Sequence, residues 1–408
     1  MDRVLVFEDP AVSQLAPITT SRPGHSILCG GNRLLDWLRR LGAPVLAAVR
    51  PHLRGVLAED APDLTGDGQV NLMVNACLVP SRQNFETLRT LLREQRPCVV
   101  RAGDRLAAVV PARPRLASTV PAPWSGALDE PLPESTQHQL SLFEYPHDVV
   151  RWNMLLLPDS LQDRLATHGD SYCEQRPGLF VAPGVKIAES MVCDTSAGPI
   201  LVEQGASIGP HTFLSGPGWI GANTRLIEHA SIKDGCCIGH TVKIGGEVEA
   251  SIIEGYSNKQ HYGFLGHSYL GSWINLGAGT CNSDLKNTYG EINMEYGGRR
   301  VASGMQFMGC VIGDYAKTAI NTGIFTGKLV GVGSMVYGFV TTNVPSFVNY
   351  ARLFGQVSEI PPDVLIATQK RMFQRRKVEQ RECDQQLIRD MHRLTIDERQ
   401  LTGEQLSL

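Results

Sequence analysis

The sequence predicts an α/β amino-terminal domain joined to a parallel β-solenoid and followed by a helical tail. Three observations carry this expectation. Of the 41 glycines in 408 residues, 27 lie between Gly198 and Gly338, so two compositions are joined in one chain. Inside the glycine-rich zone an aliphatic residue recurs every six positions, at Val202, Ile208, Leu214, Ile220, Leu226, Ile232, Ile238 and Ile244. Ahead of it, the apolar run Val4 to Phe7 leads through a loop to a helix-like stretch at Leu34 to Gly42, the strand–loop–helix order of an α/β layer.

The six-residue period has a direct physical meaning. Small or β-branched residues stand four places after the aliphatics, as at Ala206, Thr212, Gly218 and Thr224, and glycine follows directly at 209, 221, 239 and 245. A helix needs a period near 3.6 and an ordinary sheet alternates every two residues, so short strands with one inward side chain and tight corners fit best. Val181 and Ile187 keep the spacing, which places the solenoid from about Phe180 to Asn343, with Val344-Pro345 closing it. The period breaks at Glu254 to Gly263 and resumes at Leu265, Leu270 and Leu276, then at Ile312, Ile324, Val330 and Val336. Such an interruption predicts a projecting functional loop.

The domain boundaries that follow are 1–150 for the α/β domain, 151–175 for a linker helix, 176–345 for the solenoid and 346–408 for the tail. The linker belongs to a helix expected over Val149 to Leu165. A strand is expected over Val70 to Ala76, and residues 111 to 145, rich in proline, read as an irregular connection. The tail groups Lys370, Arg371, Arg375, Arg376, Lys377 and Arg381, but Glu379, Glu382 and Asp384 interleave, which favours a solvated face.

Composition excludes several classes. With 38 basic against 41 acidic residues there is no electrostatic footprint for nucleic acid or an anionic membrane. No apolar run approaches the ~18 residues of a membrane span, and the acidic start (Glu8, Asp9) lacks a signal peptide's basic opening, which leads us to expect a cytoplasmic protein. Ten cysteines without a C-x-x-C pair point to reduced thiols.

The hexad pattern resembles the hexapeptide-repeat transferases, which implies a left-handed parallel β-helix with three hexads per coil. Within that group, Ser257-Asn-Lys-Gln-His261-Tyr-Gly-Phe-Leu-Gly266 followed by Asn275-Leu-Gly-Ala-Gly-Thr280-Cys-Asn282 resembles the acetyltransferase half of the bifunctional N-acetylglucosamine-1-phosphate uridyltransferase / glucosamine-1-phosphate acetyltransferase family. Leu15-Ala-Pro-Ile-Thr19-Thr-Ser-Arg22-Pro23 looks like the opening of divergent nucleotidyltransferase-like proteins that carry a similar β-helix, so the first domain is expected to be Rossmann-like. There Thr19 and Arg22 would hold phosphate, with Mg2+ as cofactor if nucleotides are transferred. Two departures stand against that transfer. No Gly-x-Gly-Thr loop precedes Arg22, and the strand before Cys77 ends without an aspartate to hold the ion; Asp63 and Asp67 are the nearby substitutes.

Acetyl transfer from acetyl-CoA to an amino sugar needs a base and donors for the developing oxyanion. The resemblance assigns the base to His261, substrate contacts to Asn275 and Asn282, cations to Lys259 and Lys286, and the acetyl-CoA approach to Gly277, Ala278 and Gly279. Phe264 replaces a phosphate-contacting tyrosine of the family. Cys281 reads as a small buried hydrophobe rather than an acyl carrier. His211 and His229, 18 residues apart, would stack on successive coils, but the register of His240 differs and argues against a metal site. The resemblance further implies a homotrimer acting on a sugar phosphate or nucleotide sugar. Two other readings stay open: a sugar-1-phosphate nucleotidyltransferase with a structural β-helix, and a non-catalytic scaffold or sugar-nucleotide sensor.

Overall fold

The computed structural model describes residues 3–128 and 130–400. It divides into two compact units, one formed by Met1–Ile27, Asn32–Tyr145 and Glu382–Leu387, the other by Leu28–Gly31, Pro146–Arg381 and Ile388–Leu408.

The first unit is Rossmann-like. Its sheet runs in the order Val45–Ala48, Val4–Phe7, Leu72–Asn75, Arg105–Val110, Cys98–Ala102. The first three strands are parallel, with Val4 opposite both Val45 and Leu72, and the last two form an antiparallel hairpin. Val4–Phe7 is the strand expected from the sequence, and all four of its residues are buried. A strand flanked on both sides reads as a continuous apolar run, not an alternation. The expected strand at 70–76 is Leu72–Asn75, and the proline-rich stretch is irregular apart from Arg115–Leu116, which pairs with Gln69–Val70.

The second unit is the solenoid with its flanking helices. All eight period-six aliphatics are at most 3% exposed and belong to one core cluster. Residues 18 apart stack in parallel: Ile208 on Leu226, Leu214 on Ile232, Ile220 on Ile238. Three hexads therefore complete a coil, and each inward aliphatic contributes about 1.5–3 kcal/mol of burial. The expected helix at 149–165 spans Pro146–His168, and the tail holds helices Pro362–Arg375, Glu382–Leu394 and Ile396–Gln400. No helix among the described residues is long and apolar enough to cross a membrane.

The expected loop at Glu254 to Gly263 does not project. Ile252–Ile253 pairs with Cys237–Ile238, and Asn258–Lys259 with Lys243–Ile244, so this stretch is an ordinary part of the wall. The period fails because the coil is shorter: Gly246, at φ +68, turns the corner so tightly that Val248 stacks on Ile232 after 16 residues instead of 18. The chain leaves the solenoid later, between the rungs Cys281–Asn282 and Cys310–Ile312, as an insert built on the hairpin Asn293–Tyr296 with Arg299–Ala302.

Candidate active site on the solenoid

His261 and Tyr262 are exposed at the corner between the rungs Asn258–Lys259 and Phe264–Gly266. The equivalent corner one coil on is Ala278–Gly279. The Gly279 N–H donates to the Tyr262 carbonyl at 3.0 Å and the Asn321 N–H to the Ala278 carbonyl at 2.7 Å, which stacks three corners in a column. At Gly277 neighbouring coils touch closely, since a Cβ there would stand 2.5 Å from the Ala319 carbonyl. Asn275 is exposed, in register with Asn258 on one side and Lys317 on the other. The fold thus brings His261, Asn275 and the Gly277-Ala278-Gly279 run onto adjacent coils, with the imidazole open to solvent.

Three other expected residues are placed differently. Lys259 occupies the inward position that Ile208, Leu226 and Ile244 hold in earlier coils, and it is 2% exposed. Its Nζ donates to the carbonyls of Gly245 at 2.8 Å, Gly263 at 2.7 Å and His261 at 3.1 Å, so all three ammonium protons are engaged inside the corner. Burial pushes its pKa down to about 8. Asn282 also points inward; its Oδ1 accepts from the Gly266 N–H at 2.9 Å and its Nδ2 donates to the Gly266 carbonyl at 3.0 Å. Lys286 lies on the insert, where its Nζ donates to the Glu291 carbonyl. The insert departs after Asn282, at the end of the rung remote from His261, which separates Lys286 from the histidine.

Cys281 is exposed rather than buried, and its Sγ accepts from the Phe264 N–H at 3.3 Å. His211 and His229 do stack, with ring centroids 5.2 Å apart and planes at 15°. His240 instead meets Tyr256 edge-on at 5.0 Å, in a different column. Among the described residues no group of three or more His, Cys, Asp or Glu side chains converges as metal ligands would.

In the first unit Thr19 is buried and its hydroxyl donates to the Val12 carbonyl at 2.8 Å. Arg22 is half-buried, and its carbonyl accepts from Arg50 at 3.1 Å. The carboxylates near the strand ends are already paired. Glu8 is fully buried against Arg50 at 3.1 Å and Asp9 is bridged by Arg105 at 2.9 Å. At the end of Leu72–Asn75, where a metal-binding aspartate is implied by the resemblance, Asn75 donates to Asp9 Oδ2 at 2.9 Å. Asp63 pairs with Arg39 at 2.8 Å, and Asp67 accepts from Gly68 and Ser118, which holds its pKa below the usual value. These residues do not fit a Mg2+ ion, which needs carboxylates free to coordinate.

Two features escaped the sequence reading. The His267 Nδ1–H donates to Asp284 Oδ2 at 2.8 Å, and the ring stacks on Phe307 at 5.2 Å, so one imidazole ties both ends of the insert to the wall. Nothing local in the sequence marks this contact. The second is a cationic column. Arg225 and Lys243 each precede an inward aliphatic and are 18 residues apart, a signal the hexad register already contained.

A Rossmann-like unit together with a hexapeptide-type solenoid defines the class. Residues 4–162 match the family model described as sugar nucleotidyl transferase. The chain is similar to the "Bifunctional sugar-1-phosphate nucleotidylyltransferase/acetyltransferase" of Sulfurisphaera tokodaii, 28% identical over 152 residues, covering 36% of this chain and 37% of that protein. It is also similar to the "Bifunctional protein GlmU" of Ralstonia pickettii, 32% identical over 124 residues, covering 29% of this chain and 26% of the relative. The matches thus span well under half of these curated relatives. Among solved structures, the UDP-N-acetylglucosamine acyltransferase of Francisella novicida aligns with 54% of this chain and 90% of its own, at 15% identity and a TM-score of 0.30.

Proposed function

We propose that the solenoid is an acetyl-CoA-dependent N-acetyltransferase acting on an amino-sugar phosphate or a nucleotide amino sugar in sugar-nucleotide synthesis. The observation that carries this reading is the exposed His261 corner one coil from Gly277-Ala278-Gly279, with Asn275 in register beside it. His261 takes a proton from the substrate ammonium. The freed amine lone pair attacks the thioester carbonyl and forms the C–N bond, and collapse of the tetrahedral centre breaks C–S while the nitrogen gives up its second proton to the leaving sulfur. The released thiolate takes up that proton as coenzyme A. Asn275 orients the acceptor, and the protein works as a cytoplasmic homotrimer. The sugar-1-phosphate nucleotidyltransferase reading is disfavoured by the paired carboxylates around Asn75.

The test is thiol release from acetyl-CoA over a panel of amino sugars. His261→Ala should lower kcat by about 10²–10⁴-fold, the usual contribution of a positioned base. Equal rates in the two proteins would remove His261 from the mechanism, and no turnover by the wild type with any sugar would favour the scaffold reading.

A further inference from the structure

The wall strands Arg225–Leu226, Lys243–Ile244 and Asn258–Lys259 stack in register, with Arg225, Lys243 and Asn258 in one outward column. Rungs of a sheet are about 4.8 Å apart, so Arg225 and Lys243 are immediate neighbours. The end of helix Pro362–Arg375 reaches the same column: Arg376 donates from Nη2 to Asn258 Oδ1 at 2.6 Å. Arg375, the last residue of that helix and the neighbour of Arg376, adds a fourth cation. Among the described residues none of these four cations is ion-paired with a carboxylate. Other cations of this unit are ion-paired, among them Lys233 with Glu247 at 2.6 Å and Arg164 with Glu203 at 2.8 Å.

Four cations held together without a counter-charge repel one another, and folding keeps them there at a cost. Lys243 records that cost. Partial burial and the guanidinium groups of Arg376, Arg225 and Arg375 hold its pKa below the ordinary lysine value. Asn258 fixes Arg376 in place through a neutral amide, which positions the guanidinium without neutralising it. On the next two rungs of the same register Asn275 and Lys317 follow, and among the described residues Lys317 too has no carboxylate partner; its Nζ donates to the Tyr315 carbonyl at 2.9 Å. A ligand seated at the four cations would therefore lie along the column that leads to Asn275.

We propose that Arg225, Lys243, Arg375 and Arg376 form a binding site for the pyrophosphate group of an extended ligand. A pyrophosphate carries the matching charge, and its oxygens can accept from two guanidinium forks and one ammonium at once. Coenzyme A and nucleotide sugars both supply this group. The choice of these two ligand classes rests on the acetyl-transfer reading, but the site requires binding and no turnover, so the two can fail separately.

The test is calorimetric titration of the full chain with inorganic pyrophosphate, followed by competition with coenzyme A and with UDP-N-acetylglucosamine. Arg225→Gln and Lys243→Gln remove side chains that make no ion pair among the described residues, so the fold should tolerate both; each should weaken pyrophosphate binding about tenfold, the effect of one close charge. Lys233→Gln, whose ion pair lies on another wall, should leave binding unchanged. Displacement by coenzyme A assigns the site to the acyl donor, and displacement by the nucleotide sugar assigns it to the acceptor. No binding by the wild type, binding by the variants as tight as that of the wild type, or displacement by neither competitor, which means an adventitious ion only, would each overturn the proposal.

Discussion

Lys259 shows how a single side chain can conserve the geometry of a corner while breaking its pattern. The ammonium replaces an aliphatic plug and satisfies three carbonyls, one of them that of His261 itself. Replacing it by methionine would restore an apolar plug and leave those acceptors without their donor. Lys259→Met should therefore cost about 1–3 kcal/mol at pH 7, the penalty of buried unmade hydrogen bonds, measurable by chemical denaturation. The pH dependence gives a sharper signature. With a folded pKa near 8 and an unfolded value near 10.4, the unfolded chain binds more protons between these two values. The burial cost is then fully present below pH 8 and is relieved as the pH rises toward 10, so wild-type stability gains a rising term in that window. The methionine variant should lack that term, and the difference between the two proteins should widen with pH. A difference that stays flat from pH 8 to 10 would contradict the buried-ammonium account. The sequence identified this lysine as a site cation because its neighbours matched a motif; its inward direction depends on the coil register, which two trimmed corners had hidden.

At the scale of elements, the regular parts were legible and the departures were not. Every hexad aliphatic is inward because period and burial are the same fact in a solenoid. The shortened coil at Gly246 and the insert after Asn282 both disturb the period, and period alone cannot tell a tight corner from an excursion. The basic stretch was read as a solvated face, and Lys370, Arg371, Arg375 and Lys377 are exposed; Arg376, just past the helix Pro362–Arg375, departs from this through a contact to Asn258 that spans 118 residues. The helix is anchored by an aromatic column in which Phe373 packs on Trp273 at 4.4 Å and Trp273 stacks on Tyr256 at 4.2 Å with planes 4° apart. Phe373 is buried, as is Leu365 two turns earlier, where it fills the space beside Gly333. Phe373→Ala should cost about 3–5 kcal/mol and loosen this helix before the wall. Hydrogen exchange should show faster exchange at 362–376 with the rungs near Ile244 unchanged. Uniform acceleration across the solenoid would mean that the helix is part of the core's cooperative unit and not a docked element.

For the molecule as a whole, the two compositions seen in the sequence are two units with different chemical prospects. The solenoid keeps its imidazole open to solvent, whereas the strand ends of the first unit are closed by their own ion pairs. Glu8 accepts from the Arg50 backbone N–H at 2.7 Å and from the Gly24 N–H at 3.1 Å, so the loop after Val4–Phe7 is held by internal partners. The absence of an aspartate was legible in the sequence; that Asn75 is itself a structural donor was not, because its partners Asp9 and Leu106 are distant in the chain. Placing a carboxylate at this strand end should therefore not create metal chemistry. In Asn75→Asp the new carboxylate would face Asp9 in a fully buried position and could no longer donate to it or to the Leu106 carbonyl. A loss of about 2–4 kcal/mol is expected from unpaired buried charge. With UTP or dTTP, Mg2+ and a hexose 1-phosphate, neither the wild type nor this variant should release pyrophosphate. Steady release by the wild type would show that Glu8 or Asp9 leaves its arginine to hold the ion, and a variant as stable as the wild type would show that Asn75 is not the donor that keeps Asp9 in place.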